Sequence, residues 1–364
     1  MSDKPSSLSP DETERLCAKP LAGGRLSREE GELLLHTGDI HELGHAAHEM
    51  RLKVANPGIV TYVVDRNVNY TNVCVSRCRF CAFSRDIGDD DAYINEYEPV
   101  IRAKVAEAVE LGATQILMQG GHHPSLPFEW YLELLRCIKR DFPETTLHSF
   151  SPPEVVHFSA LFGMPVREVL AKLRDAGLDS LPGGGAEILS DRVRSEVSPR
   201  KCTADEWIGV MREAHAMGMR TTATMMFGHV ETYPERIEHL ERIRALQDET
   251  GGFTAFICWT YQPENTPLGG TAVGGLEYLR TLAVARLYLD NFTNLQASWV
   301  TMGPKVGQLA LYFGANDMGG TMLEENVVAA AGTAYSMTEA ELRRLISEAG
   351  FTPKRRTTQY ELLE

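Results

Sequence analysis

The sequence predicts an α/β protein, a (β/α) TIM-type barrel of six to eight strand-and-helix units with a helical cap before it and helices after it. Three observations carry this. Short apolar, β-branched runs alternate with amphipathic stretches along most of the chain, the pattern of a parallel sheet joined by right-handed crossovers. So many repeats favour a closed barrel over an open sheet, and 364 residues suit one such domain with terminal additions. The segments richest in glycine, histidine, acids and amides fall just after the apolar runs, and barrel enzymes carry their chemistry on the loops that follow strands.

Taken in order, residues 1–20 are rich in Ser, Pro and charge and read as loose. Over 27–53, Leu33, Leu34, Leu35, Ile40, Leu43 and Ala47 recur at helical spacing, making 1–58 an N-terminal helical extension. The barrel is expected over 59–332, opening with extended runs at 59–64 and 68–73. A helix over 96–111 turns Val100, Val105, Ala108 and Val109 to one side, and Gly112 is placed for a left-handed cap. A strand at 114–118, a helix at 127–140 and a strand at 145–150 follow, then a helical segment over 153–176 interrupted at Gly163 and Pro165. After a short strand at 178–181, Thr203-x-x-Glu206 is a capping box for a helix whose stripe is Trp207, Val210, Met211 and Ala214. A strand at 221–227, a second box at Thr232-x-x-Glu235 with a helix to 247, and a strand at 253–259 continue the alternation. Beyond them come a helix at 276–289, an extended run at 295–300, a helix at 306–311 and a strand-like 311–315. Helices at 324–331 and 338–349, the second with a Thr338-x-x-Glu341 box, lead to a tail over 333–364 that is expected to be helical.

Composition removes several classes. A net charge of −14 argues against nucleic acid, whose binding relies on clustered Lys and Arg. No uninterrupted apolar run approaches the ~18 residues of a membrane span. The N-terminus lacks the basic start and apolar middle of a secretory signal, so a cytoplasmic protein is expected. Seven cysteines without a paired framework fit a reducing compartment, and Cys17, Cys137, Cys202 and Cys258 read as structural.

The most specific stretch is NYTNVCVSRCRFCAFSR at 69–85, where Cys74, Cys78 and Cys81 stand in a C-x3-C-x2-C spacing after an apolar run. Three thiolates can hold three irons of a cubane 4Fe-4S cluster; full thiolate ligation needs a fourth, and none lies nearby, which leaves one iron for a small chelating ligand. Buried apolar cysteines, or a zinc site completed by a distant histidine, are the plain alternatives. Those intervals, with Arg77 and Arg79 among the thiols and Phe80 before the last, resemble the signature of the radical S-adenosylmethionine (radical SAM) superfamily. The resemblance implies that the methionine end of SAM chelates the free iron and that Phe80 borders the adenine.

The other strand-end motifs take their meaning beside that one. Gly120 and Gly121 let backbone approach a ligand or form a plain turn; the resemblance gives them the methionine amino group, with His122 and His123 facing either pocket or solvent. Ser151 is in place to reach the nucleoside ribose, and Glu154 suits a helix start. The loop Gly183-Gly184-Gly185 lacks the Lys-Ser/Thr of a phosphate loop. By the resemblance, Glu187 and Arg194 hold the ribose or methionine end of SAM, the plainer alternative for either being half of a surface ion pair. His229, Glu231 and Asp290 are candidate bases, while His229 also suits a core position, Glu231 a helix N-terminus and Asp290 a helix end.

The stretches GLDSLPGGGAEIL, TATMMFGHVET, QDETGGFTAF and GANDMGGTMLEENVV are similar to one branch of the superfamily: the futalosine route to menaquinone and relatives that build the deazaflavin chromophore. TTATMMFGH, FTAFICWTYQP and LQASWVTMG resemble its cyclising members, with departures at Cys258 where proline is expected and Gly320 where serine is expected. The implied activity is abstraction of a ribose hydrogen from a nucleoside by a 5′-deoxyadenosyl radical and ring closure on the substrate's benzoate. An external electron donor of flavodoxin or ferredoxin type is implied as partner. Aminofutalosine synthase chemistry, a deazaflavin chromophore synthase component and a non-catalytic metal-binding protein are the competing readings.

Overall fold

Ten parallel strands with helices between them form the protein in the computed structural model, which describes residues 8–37, 39–333 and 335–363. β1 (Ile59–Val63) and β2 (Asp65–Val68) are two parts of one extended run broken at Val64. From β2 the sheet passes through β3 (Gln115–Met118), β4 (Thr146–Ser149), β5 (Ser180–Leu181), β6 (Arg220–Phe227), β7 (Phe253–Thr260), β8 (Asn294–Gln296) and β9 (Asp317–Gly320). β9 pairs back onto β1, and β10 (Thr352–Arg355) lies on the other edge of β1. The amides of Thr321 and Leu323 bond the carbonyls of Val63 and Asp65 at 3.1 and 3.2 Å. The two ends of the strand order thus meet along one run, and the sheet curls around an interior as the barrel expectation requires.

Alternation along the strands explains why that interior is polar. On β6, Ala223, Met225 and Phe227 join the hydrophobic core under the helices, while Thr222 and Thr224 face inward. The apolar core is therefore a shell between sheet and helices.

Local signals in the sequence are realised. The boxes at Thr203, Thr232 and Thr338 all form. The segment after β4 breaks into helices Pro152–Phe162 and Val166–Asp175, and Gly163 adopts φ 64° between them. Gly112 adopts φ 87° at its helix end.

Other expectations are corrected. Residues 1–7 of the stretch read as loose lie outside the described residues, but Pro10–Leu21 is a helix, begun by a Ser9/Glu12 capping box. The single stretch over 27–53 is two helices, Arg28–Thr37 and Ile40–Val54, the second capped by Asp39. The run at 68–73 is loop after Val68. The extended run at 295–300 ends at Gln296, and the chain enters helix Trp299–Ala310, kinked at Gly303 before Pro304. The strand expected at 311–315 comes later, as β9.

Residues 324–328 are loop rather than helix, followed by a short turn at Ala329–Ala331. Glu325 accepts from the amides of Val327 and Val328, and Asn326 bonds Asn69, so side chains there satisfy backbone and distant groups in place of a helical ladder. Within the tail, helix Glu339–Glu348 is followed by β10, which is not helical.

Candidate active site

The cysteine loop leaves β2 and is tied down before its chemistry begins. Thr71 bridges Ile94 and Val73 bridges Arg85. The side-chain oxygen of Asn72 accepts from the Tyr93 amide at 2.8 Å, and its nitrogen donates to the Asp91 carbonyl at 2.9 Å. Arg77 takes φ 47° between the first two cysteines. Arg79 donates its amide to Val197 and accepts from Leu268, at 2.8 and 2.7 Å, which fixes the loop to two others.

Burial pushes the Cys78 thiol up to about 12, opposed by nearby Lys201. Burial raises Cys81 as well, against the amides of Phe83 and Ser84 aimed at its sulfur. Both feel Cys74 electrostatically, yet among the described residues no three His, Cys, Asp or Glu side chains close on a single ion. Three thiols on one loop suit a cluster, in which each sulfur takes a different iron. A structural zinc centre needs four donors on one ion.

Gly120 and Gly121 lie against this loop. A Cβ on Gly121 would stand 2.2 Å from the Val73 carbonyl oxygen and 3.0 Å from the Cys74 Cβ; one on Gly120 would stand 2.4 Å from the Tyr70 ring. The Gly121 amide is already bonded to the Thr71 carbonyl at 2.8 Å. Gly121→Ala is expected to displace Cys74 and cut cluster incorporation several-fold, read as iron and sulfide per chain after anaerobic reconstitution. Unchanged incorporation would show that the close approach is dispensable.

Below the glycines, buried Glu154 accepts from the Tyr70 hydroxyl and the Ser151 hydroxyl, both at 2.6 Å, and from the Gly120 amide at 3.2 Å. Burial pushes it up to about 7 against those bonds. Ser151 is thereby committed to Glu154. Beside Phe80, the Lys201 ammonium lies 5.4 Å from the ring centroid and 3.0 Å from Glu187. Glu187 is buried at φ 42°, and among the described residues its Oε2 has no hydrogen-bond partner. Arg194 stands 3.7 Å from that carboxylate, but its donors are spent on the carbonyls of Gly185, Ala186 and Cys202, so it braces the loop after β5.

The three candidate bases are placed differently from one another. His229 donates from Nε2 to the Met226 carbonyl at 3.1 Å and accepts at Nδ1 from the Val230 amide at 2.8 Å. Burial lowers its pKa, against the pull of the neighbouring Glu231 carboxylate. Burial would raise Glu231, but His229, Arg236 and the amides of Gly228 and His229 outweigh it and hold the carboxylate low. Both belong to a closed knot after β6. Asp290 lies ahead of β8, at the opposite rim of the barrel, paired with Arg25 at 2.8 Å. The structure brings the cysteines, Phe80, the glycines, Ser151, Glu187, Arg194, His229 and Glu231 to one rim and leaves Asp290 out.

The barrel interior holds a cavity of ≈ 250 Å³. A smaller one of ≈ 50 Å³ touches Phe80, Cys81 and Met226, and Trp259, Val327 and Val328 border both. Acids missing from the sequence reading line the larger cavity: Asp65, pushed up to about 6 by burial, and Glu325, also raised by burial. Asp65 accepts from the Met322 amide at 3.1 Å and from Gln115 at 3.2 Å. Polar Asp65, Asn67 and Asn69 at every second position were the available signal. Because the folded value for Asp65 lies above the ordinary 3.8, the folded state holds the proton more tightly. Stability is therefore lost as pH rises from about 4 to about 6. Asp65→Asn is expected to flatten urea-unfolding stability over that window, by on the order of 3 kcal/mol. A parallel pH profile would count against a buried, proton-holding Asp65.

Comparison with known proteins gives this geometry its family. Residues 68–243 match the radical SAM superfamily and residues 250–364 match the CofH/MqnC C-terminal region. The chain is 48% identical over 342 residues to cyclic dehypoxanthine futalosine synthase of Halalkalibacterium halodurans, covering 94% of this chain and 92% of that one. The chain belongs to the radical SAM superfamily. It is also 44% identical to the 5-amino-6-(D-ribitylamino)uracil–L-tyrosine 4-hydroxyphenyl transferase of Methanopyrus kandleri, covering 99% of each chain. In fold it is similar to the FeFe-hydrogenase maturase HydG from Carboxydothermus hydrogenoformans, with a TM-score of 0.75 at 15% identity, covering 96% of this chain and 81% of that one. As a radical SAM enzyme it uses a 4Fe-4S cluster and SAM, and the three thiols fit the cluster as a donor set. No described helix is long and apolar enough to cross a membrane.

Proposed function

We propose that the protein converts dehypoxanthine futalosine to its cyclic form in menaquinone biosynthesis, in the cytoplasm. The observation that carries this reading is the 48% identity over almost the whole chain to a synthase of that name. Cys74, Cys78 and Cys81 would hold the cluster, and Phe80, Gly120, Gly121, Ser151 and Glu187 would surround SAM, with Arg194 bracing the loop that carries Glu187. The bound cofactors supply a 5′-deoxyadenosyl radical, using an electron from a flavodoxin- or ferredoxin-type carrier.

The chain's own work is orientation and exclusion of water. The larger cavity, polar toward β2 and apolar at Leu117, Ile257 and Trp259, suits a sugar joined to an aromatic ring. Hydrogen abstraction from the ribose and closure on the benzoate ring release one electron, returned to the one-electron carrier, and one proton. Asp290 is too far round the barrel to take that proton, and His229 and Glu231 are engaged by their own loop. Asp65 and Glu325 are the carboxyls that face the cavity.

The test is anaerobic: the reconstituted, reduced protein is given SAM and dehypoxanthine futalosine, and products are followed by mass spectrometry. A product two hydrogens lighter, formed with 5′-deoxyadenosine, supports the reading. The similarity to the Methanopyrus kandleri transferase favours a second one. Under it, dehypoxanthine futalosine is untouched while the 4-hydroxyphenyl-bearing group of tyrosine is cleaved from the rest of the amino acid and transferred to 5-amino-6-(D-ribitylamino)uracil.

A further inference from the structure

An ordinary TIM barrel fills its interior with layers of branched apolar side chains. Here the inward positions include Asn67, Thr222, Thr224, Gln296 and Gly320, which leave the interior open. An open interior needs a floor, and the strands do not provide all of it.

Part of the floor comes from outside the barrel. After β10, residues 356–363 turn back under the N-terminal ends of the strands: Arg356 bridges Leu362, and the Thr357 amide bonds the Glu361 carbonyl at 2.8 Å. Arg356, Thr358 and Tyr360 line the cavity. The Arg356 guanidinium grips Asp317, the first residue of β9, at 2.5 and 2.9 Å. The Thr358 hydroxyl donates to Gln115, the first residue of β3, at 2.7 Å, and Gln115 in turn donates to Asp65. The Tyr360 ring lies 3.9 Å from the Arg356 guanidinium carbon, and Tyr360 holds a left-handed φ of 66°. A bulky residue keeps that conformation only where its surroundings impose it.

We propose that residues 356–363 are a stopper that closes the N-terminal mouth of the barrel and forms the floor of the substrate chamber, making this segment part of the specificity site. The cysteine loop lies at the opposite rim, so the floor receives the end of the substrate farthest from SAM. That end meets Thr358, Gln115, Asp65 and Arg356, groups that donate and accept hydrogen bonds, so a polar end fits there and an apolar one does not. The identity of the substrate rests on the function proposed above; the stopper itself does not.

The test is binding to reconstituted protein with SAM and no reductant, so nothing turns over. Calorimetry compares wild type, a chain ending at Arg355, Thr358→Ala and Tyr360→Ala. Dehypoxanthine futalosine is expected to bind about 10-fold more weakly to the shortened chain and several-fold more weakly to each point variant. SAM affinity and iron content should be unchanged, because those groups are held at the other rim. If the shortened chain fails to take up its cluster, the two point variants decide. Equal substrate affinity across the folded variants, or a parallel loss of SAM affinity, overturns the stopper. If wild type binds 5-amino-6-(D-ribitylamino)uracil and not dehypoxanthine futalosine, the function proposed above fails, and the same comparison with that ligand decides the stopper. Binding of neither ligand to wild type overturns both.

Discussion

Cys78→Ala is expected to abolish SAM cleavage and bring bound iron from about four atoms per chain to near none. Cys78 is the buried member of the three thiols, and its carbonyl accepts from the Cys81 amide at 3.1 Å, so it opens the turn that carries the third thiol. Three thiols leave no reserve, because each iron they hold has one protein sulfur. Iron and sulfide analysis, the visible absorption of the reconstituted protein and 5′-deoxyadenosine formation read the same event in three ways. Cys258→Ala is the control: Cys258 lies in β7 with its side chain in the hydrophobic core, away from the cysteine loop. It should keep its iron and pay only in stability. Retention of a full cluster by Cys78→Ala would remove this thiol from the ligand set.

How much was legible in the sequence depended on the range of the forces involved. Capping boxes at Thr203, Thr232 and Thr338 and left-handed glycines at 112 and 163 are settled by neighbours three or four residues away, and a reader of sequence sees all the partners at once. The cysteine loop was legible for another reason: cluster chemistry demands one residue type at fixed spacing. β2 was shifted toward 68–73 because a search for apolar runs passes over Asp-Arg-Asn-Val. Those polar residues are a strand because alternate side chains face a cavity that exists only once the barrel has closed.

Bases are harder to read than ligands. A carboxyl becomes one through burial and direction, and both are decided by elements distant in sequence. Asp290 and Glu325 are equally plain acids in the sequence. One faces Arg25 on the far rim, and the other lines the chamber beside residues that border the smaller cavity near Cys81. Glu231 lies at the correct rim, yet a bond to Arg236 at 2.9 Å and two backbone amides occupy it. Gly320, the departure from the expected serine, also gains a physical partner. A Cβ there would stand 2.0 Å from the Asp65 carboxylate, so the glycine and the raised acid go together.

The largest effect on stability is expected from Asp317→Ala. Asp317 is fully buried and gathers three parts of the chain: it accepts from Thr61 of β1 at 2.5 Å, from the Gly319 amide of its own strand at 2.8 Å, and from Arg356 beyond β10. Removing the carboxylate leaves the Arg356 guanidinium buried without its counter-ion, which costs about 3–5 kcal/mol. For a chain of this size that corresponds to a fall in Tm of roughly 5 °C. Replacing both partners with apolar residues, as in Asp317→Leu with Arg356→Met, should recover much of the loss, because the desolvation cost of both charges disappears with them. The pair is therefore a device for placing residues 356–363 more than a source of stability. The double variant should unfold at a temperature nearer wild type than Asp317→Ala does, and its substrate affinity should stay low while its cluster is intact. A double variant as unstable as Asp317→Ala would mean that the hydrogen bonds to Thr61 and Gly319, and not the buried charge, dominate at this site.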